Sequence, residues 1–279
     1  MFHIIEHSVL DSLKLVPFLF LTYLVMEYLE HKAGEKTQKI IGRAGKWGPL
    51  FGGILGAAPQ CGFSTAASNL YAGRIISMGT LIAVYLSTSD EMLPIMISAK
   101  AEPALIARIL LMKVGIGIVA GFLVDLLFVR RKNKEHHHIH EMCEQENCHC
   151  EEGILRSAVN HTLRITFFVL LITFALNLLL HFVGEDALAS VLRNQAIVGP
   201  LLSGLVGLIP NCASSVVITQ LYLEGAMSFG TMMAGLLVGA GVGVLVLCRV
   251  NHDRKENLKI IGLLYAIGTC VGILLQLLG

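Results

Sequence analysis

Apolar runs close to bilayer-spanning length recur at residues 15–29, 75–89, 104–129, 165–183, 226–248 and 260–278. Each approaches the ~20 residues that a helix needs to cross a ~30 Å hydrocarbon core. Nothing else in the chain constrains the fold so strongly, because only helices and closed barrels satisfy a backbone inside lipid. Composition agrees: of 279 residues, 54% are hydrophobic and 15% charged, with mean hydropathy +0.70. An ordinary soluble domain carries about 25% charged residues. The sequence predicts an all-α polytopic membrane protein. A net charge of +1 gives no argument for nucleic acid. Seven cysteines in no secreted-type spacing point to free thiols rather than disulfides. Residues 1–14 show neither a basic leader region nor a small-residue cleavage site, so no cleavable signal is expected.

One stretch is out of character. GAAPQCGFSTAASNLY, residues 56–71, places a proline, an amide, a thiol and hydroxyls where a spanning helix would carry leucine. It has a counterpart. Shifting the chain by 151 residues lays 48–80 on 199–231 without a gap, with thirteen identities in 33 positions. Among them are Gly48/Gly199, Pro59/Pro210, Cys61/Cys212, Ser64/Ser215 and Tyr71/Tyr222. The same offset aligns Gly117 with Gly268 and Gly121 with Gly272. The chain therefore reads as two transmembrane repeats, 1–130 and 154–279, joined by a polar linker at 131–153.

Each repeat holds a first helix (15–31 or 163–183), the proline-interrupted segment and two further full-length helices. The two arms of the interrupted segment, 48–58 and 62–73, are too short to span singly. They form either one broken span or a hairpin that turns back at Pro59 and Pro210. Lysine and arginine decide, because basic loops stay in the cytoplasm. With hairpins the two repeats are inverted, and loops 31–46, 73–74, 130–164 and 249–259 share one face. That face holds sixteen basic residues against four (Lys14, Lys100, Arg108, Arg193), with Lys113 inside a helix. A broken span divides the same twenty into twelve and eight. The expected fold is two inverted-topology repeats, each with three spanning helices plus a Pro-tipped helical hairpin, five plus five helices in all. Its place is the cell inner membrane, with both termini outside and the 130–164 linker cytoplasmic.

Inverted repeats with interrupted helices build secondary transporters, whose sites lie near the midplane. The residues expected around the two tips are Pro59, Gln60, Cys61 and Ser64, with Pro210, Asn211, Cys212, Ser214 and Ser215. The helix read over 75–97 carries Asp90 and Glu91 after three hydroxyls, and the next helix carries Lys113 at similar depth. Ionisable residues there are functional candidates, and Asp90 with Lys113 is expected as an ion pair or a charge-compensated site. Glu27, Glu30 and His31 end the first helix, either as an interfacial boundary or as an access point for substrate. The linker holds His136, His137, His138, His140, Cys143, Cys148, His149 and Cys150. Imidazole and thiolate at this density suit zinc, copper(I) or thiophilic metalloids, in a flexible collecting or sensing loop.

PFLFLTYLVMEYLEH (17–31), residues 56–95 and GLIPNCASSVVITQLY (207–222) resemble the ten-helix heavy-metal exporter family. Its members carry the labels arsenic efflux protein and manganese transporter, and the resemblance covers nearly the whole chain outside 130–160. It implies export of a heavy-metal or metalloid ion and no catalytic residue. Arsenite and soft metals want thiolates, here Cys61 and Cys212. Manganese prefers oxygens, here Asp90, Glu91 and the tip amides. The expected partners are that ion, the lipid bilayer and a second copy of the chain. A metal enters as substrate or at the linker, and no other cofactor is called for. A small organic anion held by the hairpin helix dipoles is the alternative cargo. An intramembrane metalloenzyme is the alternative class, but no His-Glu-x-x-His or Gly-x-Ser-x-Gly motif supports it. No Walker A sequence marks an ATP-driven pump.

Overall fold

The computed structural model describes residues 45–58, 61–89, 91–129, 159–160, 162–171 and 197–278, with single positions between 13 and 24 and at 174. Helices account for all the regular structure among the described residues. They are α1 (Gly48–Gly56), α2 (Cys61–Ala72), α3 (Met78–Ser87), α4 (Met92–Ser98) and α5 (Pro103–Val129) in the first repeat. In the second they are α6 (Val198–Gly207), α7 (Cys212–Leu223), α8 (Phe229–Val238), α9 (Gly243–Val250) and α10 (Arg254–Leu278). Thr162–Leu171 is a further short apolar helix. The starts of α2, α3, α4 and α5 recur 151 residues later as the starts of α7, α8, α9 and α10. The offset that aligns the sequence also aligns the helices.

Local chemistry sets where these helices begin. Pro49 sits in the first turn of α1, where its missing N–H leaves no intrahelical bond unmade. Ser77 caps α3 in extended conformation, accepting from the Thr80 N–H at 3.1 Å, and Ser228 caps α8 from the Thr231 N–H at 3.3 Å. The last helix of each repeat completes the cap. Asp125 on α5 accepts from the Ser77 hydroxyl at 2.6 Å and the Gly79 N–H at 2.8 Å. Gln276 on α10, its equivalent, accepts from the Ser228 hydroxyl.

Four stretches are long and apolar enough to cross a membrane by length and composition: Met78–Ser98, Pro103–Phe128, Phe229–Val250 and Arg254–Leu278. The 27 residues of α5 extend about 40 Å at the helical rise. Its outer face is apolar, with Leu111 73% exposed and Leu126 similar, and Leu258 and Leu277 do the same on α10. Ser64, Thr65, Ser68, Asn69, Ser87 and Thr88 are buried instead. Leucine outside and serine inside is the distribution that a lipid solvent demands. The chain is a multi-pass membrane protein.

One expectation is corrected. The third helix of each repeat is not continuous. α3 stops at Ser87, and Thr88 turns out of the helix at φ −54°, ψ 126° before α4 begins at Met92. α8 stops at Val238 and α9 begins at Gly243, with Gly241 left-handed at φ 55°. In the first repeat, side chains compete for the last carbonyls of the helix. The Ser87 hydroxyl donates to Ala83 O at 2.8 Å and the Thr88 hydroxyl to Val84 O at 2.7 Å. In the second, Gly239 and Gly241 lower helix propensity and admit the turn.

Small residues set the packing. α1 runs beside α3 in the same direction: Gly48 lies against Thr80, Gly52 against Thr80 and Val84, and Gly56 against Val84 and Ser87. In the second repeat Gly199 lies against Thr231 and Gly207 against Gly235. α3 and α5 cross antiparallel where Gly79 meets Gly121, so closely that a Cβ on either would overlap the other's carbonyl. Between repeats, α2 packs on α9 and α7 on α4, with α3 against α8 at the centre. Leu81, Ile82, Tyr85, Met232 and Met233 of that central pair are completely buried.

Candidate functional site

The second proline-tipped segment is described in full. α6 has 10 residues and α7 has 12, so each leg is about 15–18 Å long, half of a ~30 Å core. Between them Asn211 is extended (φ −147°, ψ 147°) and caps α7, its side-chain oxygen accepting from the Ala213 N–H at 3.4 Å. Its carbonyl accepts the Ser214 hydroxyl at 2.8 Å. Cys212, a buried thiol, opens α7 beside half-buried Pro210. The Ser215 hydroxyl donates to Cys212 O at 2.8 Å, and the Thr219 hydroxyl to Ser215 O at 2.7 Å. In the first segment, Pro59, Gln60 and the side chain of Cys61 lie outside the described residues, as does Asp90.

Ser64 is completely buried one turn into α2, and it lies at the break of the other repeat. A Cβ on Gly243, the first residue of α9, would come within 3 Å of the Ser64 side chain. One turn further, the Ser68 hydroxyl is 2.8 Å from Gly243 O, 2.7 Å from Ser64 O and 2.7 Å from the Tyr85 hydroxyl. Tyr85 also reaches Gly243 O, at 3.2 Å. The Ser89 hydroxyl donates to Ala57 O at 2.7 Å, tying the break of the first repeat to the end of α1. The start of α2 and the break before α9 thus meet in a buried cluster of hydroxyls and carbonyls. Sequence reasoning named Ser64 but missed Ser68, Tyr85 and Gly243. A signal existed for one of them: Ser68 follows Ser64 by one turn and aligns with Thr219, a hydroxyl in both repeats.

Lys113 is 1% exposed on α5, and its ammonium donates to Leu236 O, in the last turn of α8. A cation suits a helix C-terminus, where carbonyls lack intrahelical partners. The expected pairing with Asp90 falls on a residue outside those described. Glu91 is half-buried at the N-cap position of α4 and makes no side-chain cap bond. Among the described residues, no group of three or more His, Cys, Asp or Glu comes together to hold a metal ion. Glu27, Glu30, His31 and the His/Cys linker lie outside those residues.

A family model described as "Putative, 10TM heavy-metal exporter" matches residues 2–173, 126–241 and 151–279, segments that overlap and together run almost end to end. The chain belongs to this family. No curated protein and no solved structure matches it. Membership in the heavy-metal exporter family implies a transporter rather than an enzyme, and it brings no site residues of its own. In this chain, Ser64, Ser68, Tyr85 and Gly243 meet between the repeats, while Asn211, Cys212, Ser214 and Ser215 cluster at the described tip.

Proposed function

We propose that this chain is a secondary transporter of two inverted repeats that exports a heavy-metal or metalloid ion through a midplane site at its two proline-tipped hairpins. The observation that carries the reading is the meeting of the first turns of α2 with the break before α9. Irregular backbone at membrane depth is tolerated only where protein or a cavity surrounds it, and transporter sites are built there.

The hairpins find support in helix register. α1 and α3 start at one level, since Gly48 lies against Thr80. Only residues 73–77 join the end of α2 to the start of α3. At ~3.5 Å per residue that loop is too short to return from the far side of a bilayer. α2 therefore comes back to the level where α1 began. Contacts between repeats support the inversion. Arg74, at the end of α2, pairs with Glu256 near the start of α10 at 2.9 Å, and Lys259 lies 3.6 Å over the Phe128 ring at the end of α5. On the opposite face Arg108, near the start of α5, lies 5.5 Å over Phe229 at the start of α8. The face of Arg74 and Glu256 is the basic one, which the positive-inside rule places in the cytoplasm.

Buried Cys212 at a tip supports a thiophilic cargo, arsenite before manganese, and the linker 131–153 would collect or sense it. Capping by Asn211 engages an N–H that an organic anion would need, which weighs against that cargo. Transport into inside-out vesicles tests the reading with arsenite and with Mn²⁺. With arsenite, Cys61→Ser and Cys212→Ser should each abolish uptake while the protein still inserts. Mild effects there with severe ones for Asp90→Asn or Glu91→Gln would shift the cargo to a hard cation. Uptake lost chiefly in Lys113→Ala would return it to an anion.

A further inference from the structure

Arg74 has φ 58°, a left-handed conformation that side chains other than glycine's resist. It follows the last turn of α2 in a Schellman pattern, with Arg74 N–H to Tyr71 O and Ile75 N–H to Leu70 O, both 2.9 Å. The second repeat builds the same turn after α7, with Gly225 N–H to Tyr222 O at 3.0 Å and Ala226 N–H to Leu221 O at 2.9 Å. There the left-handed position (φ 73°) is held by Gly225, the residue such a turn favours. A strained residue persists only where its surroundings hold it. Two contacts hold Arg74. Its guanidinium lies 5.4 Å over the Tyr71 ring, and it pairs at 2.9 Å with Glu256 of the other repeat.

Glu256 is itself buried at the start of α10. It accepts from Asn251 at 3.3 Å, and Asn251 and Asn257 bond each other twice, each at 2.7 Å. The polar cluster therefore bridges the hairpin end of one repeat and the α9–α10 turn of the other. Among the described residues, the opposite face has no equivalent ion pair. At the 151-residue offset, Arg74, Glu256 and Asn257 become Gly225, Leu105 and Ile106. Among the described residues, the repeated helices carry this ionic contact once.

We propose that Arg74–Glu256 is a latch that holds the cytoplasmic face of the transport path closed between the repeats and must open for substrate to enter. This rests on the secondary-transporter reading above, but its test needs no substrate. Membrane-impermeant maleimide is applied to inside-out vesicles of the full chain, and modification of Cys212 is read by peptide mass spectrometry. Glu256→Gln should raise the rate of Cys212 modification about tenfold, as a shift of population toward the open state would. The swap Arg74→Glu with Glu256→Arg should bring it back to near the wild-type rate. Arg74→Gly relieves the strain, so it should insert at least as well as wild type and still modify fast. Unchanged modification in both Glu256→Gln and Arg74→Gly would overturn the latch. A chain that transports neither arsenite nor Mn²⁺ yet gives the expected labelling would keep the latch and discard the cargo.

Discussion

Asp125 and Gln276 do one job in the two repeats, and comparing them separates charge from hydrogen bonding. Both accept from the serine that caps a helix start, Ser77 or Ser228. Since an amide suffices in the second repeat, Asp125→Asn should lower stability by under about 1 kcal/mol. Asp125→Leu, which strands the Ser77 hydroxyl and the Gly79 N–H, should lower it by about 1–3 kcal/mol. Thermal unfolding in detergent distinguishes the two, and equal losses would point to the charge. Lys113 obeys a similar argument. Lys113→Met keeps the bulk and removes the donor to Leu236 O, at a cost of about 1–3 kcal/mol for the buried carbonyl. If Lys113→Met unfolds with wild type, the ammonium is not supporting the end of α8.

Among helices, packing makes a sharper forecast than sequence does. Gly79 and Gly230 each touch the carbonyl of a facing glycine, Gly121 or Gly272, so leucine at either position must push two spanning helices apart. Each change should cost more than about 4 kcal/mol, the range of severe core substitutions. Gly262, with open space around it, should accept alanine and gain up to about 1 kcal/mol of helix propensity. Abundance of the folded protein by size-exclusion chromatography ranks the three. The 151-residue offset, the turn at Pro210 and the buried hydroxyls could all be read from the sequence, because local chemistry and repetition encode them. The interruptions after Ser87 and Val238 were not expected, because each falls inside a stretch long and apolar enough to be read as one span. The partner of Lys113 was hidden for another reason: a backbone carbonyl in the other repeat leaves no mark on residue type. Asp125 was legible in principle, since Gln276 stands at its repeated position beside the same serine.

For the whole molecule, the proposed inverted arrangement predicts that cysteines introduced at Lys36 and Glu185 react from opposite sides of the membrane. Reaction of both from one side in intact cells would rule it out. Deleting 136–150, outside the repeats, should weaken metal sensing or apparent affinity and leave maximal transport intact; lost transport in an inserted deletion would place the loop in the path. The buried hydroxyls carry a consequence of their own. Those of Thr65, Ser87, Thr88, Ser214 and Thr219 each face a carbonyl of their own helix, so each donates its hydrogen there. What remains on these oxygens is lone pairs. An interior lined this way welcomes a cation, or a neutral acid that still holds its own protons, and repels the same acid once it has ionised. For a metalloid hydroxide the proposed transporter would then act as a filter of protonation state, and uptake measured against pH should fall as the cargo, rather than the protein, loses its first proton.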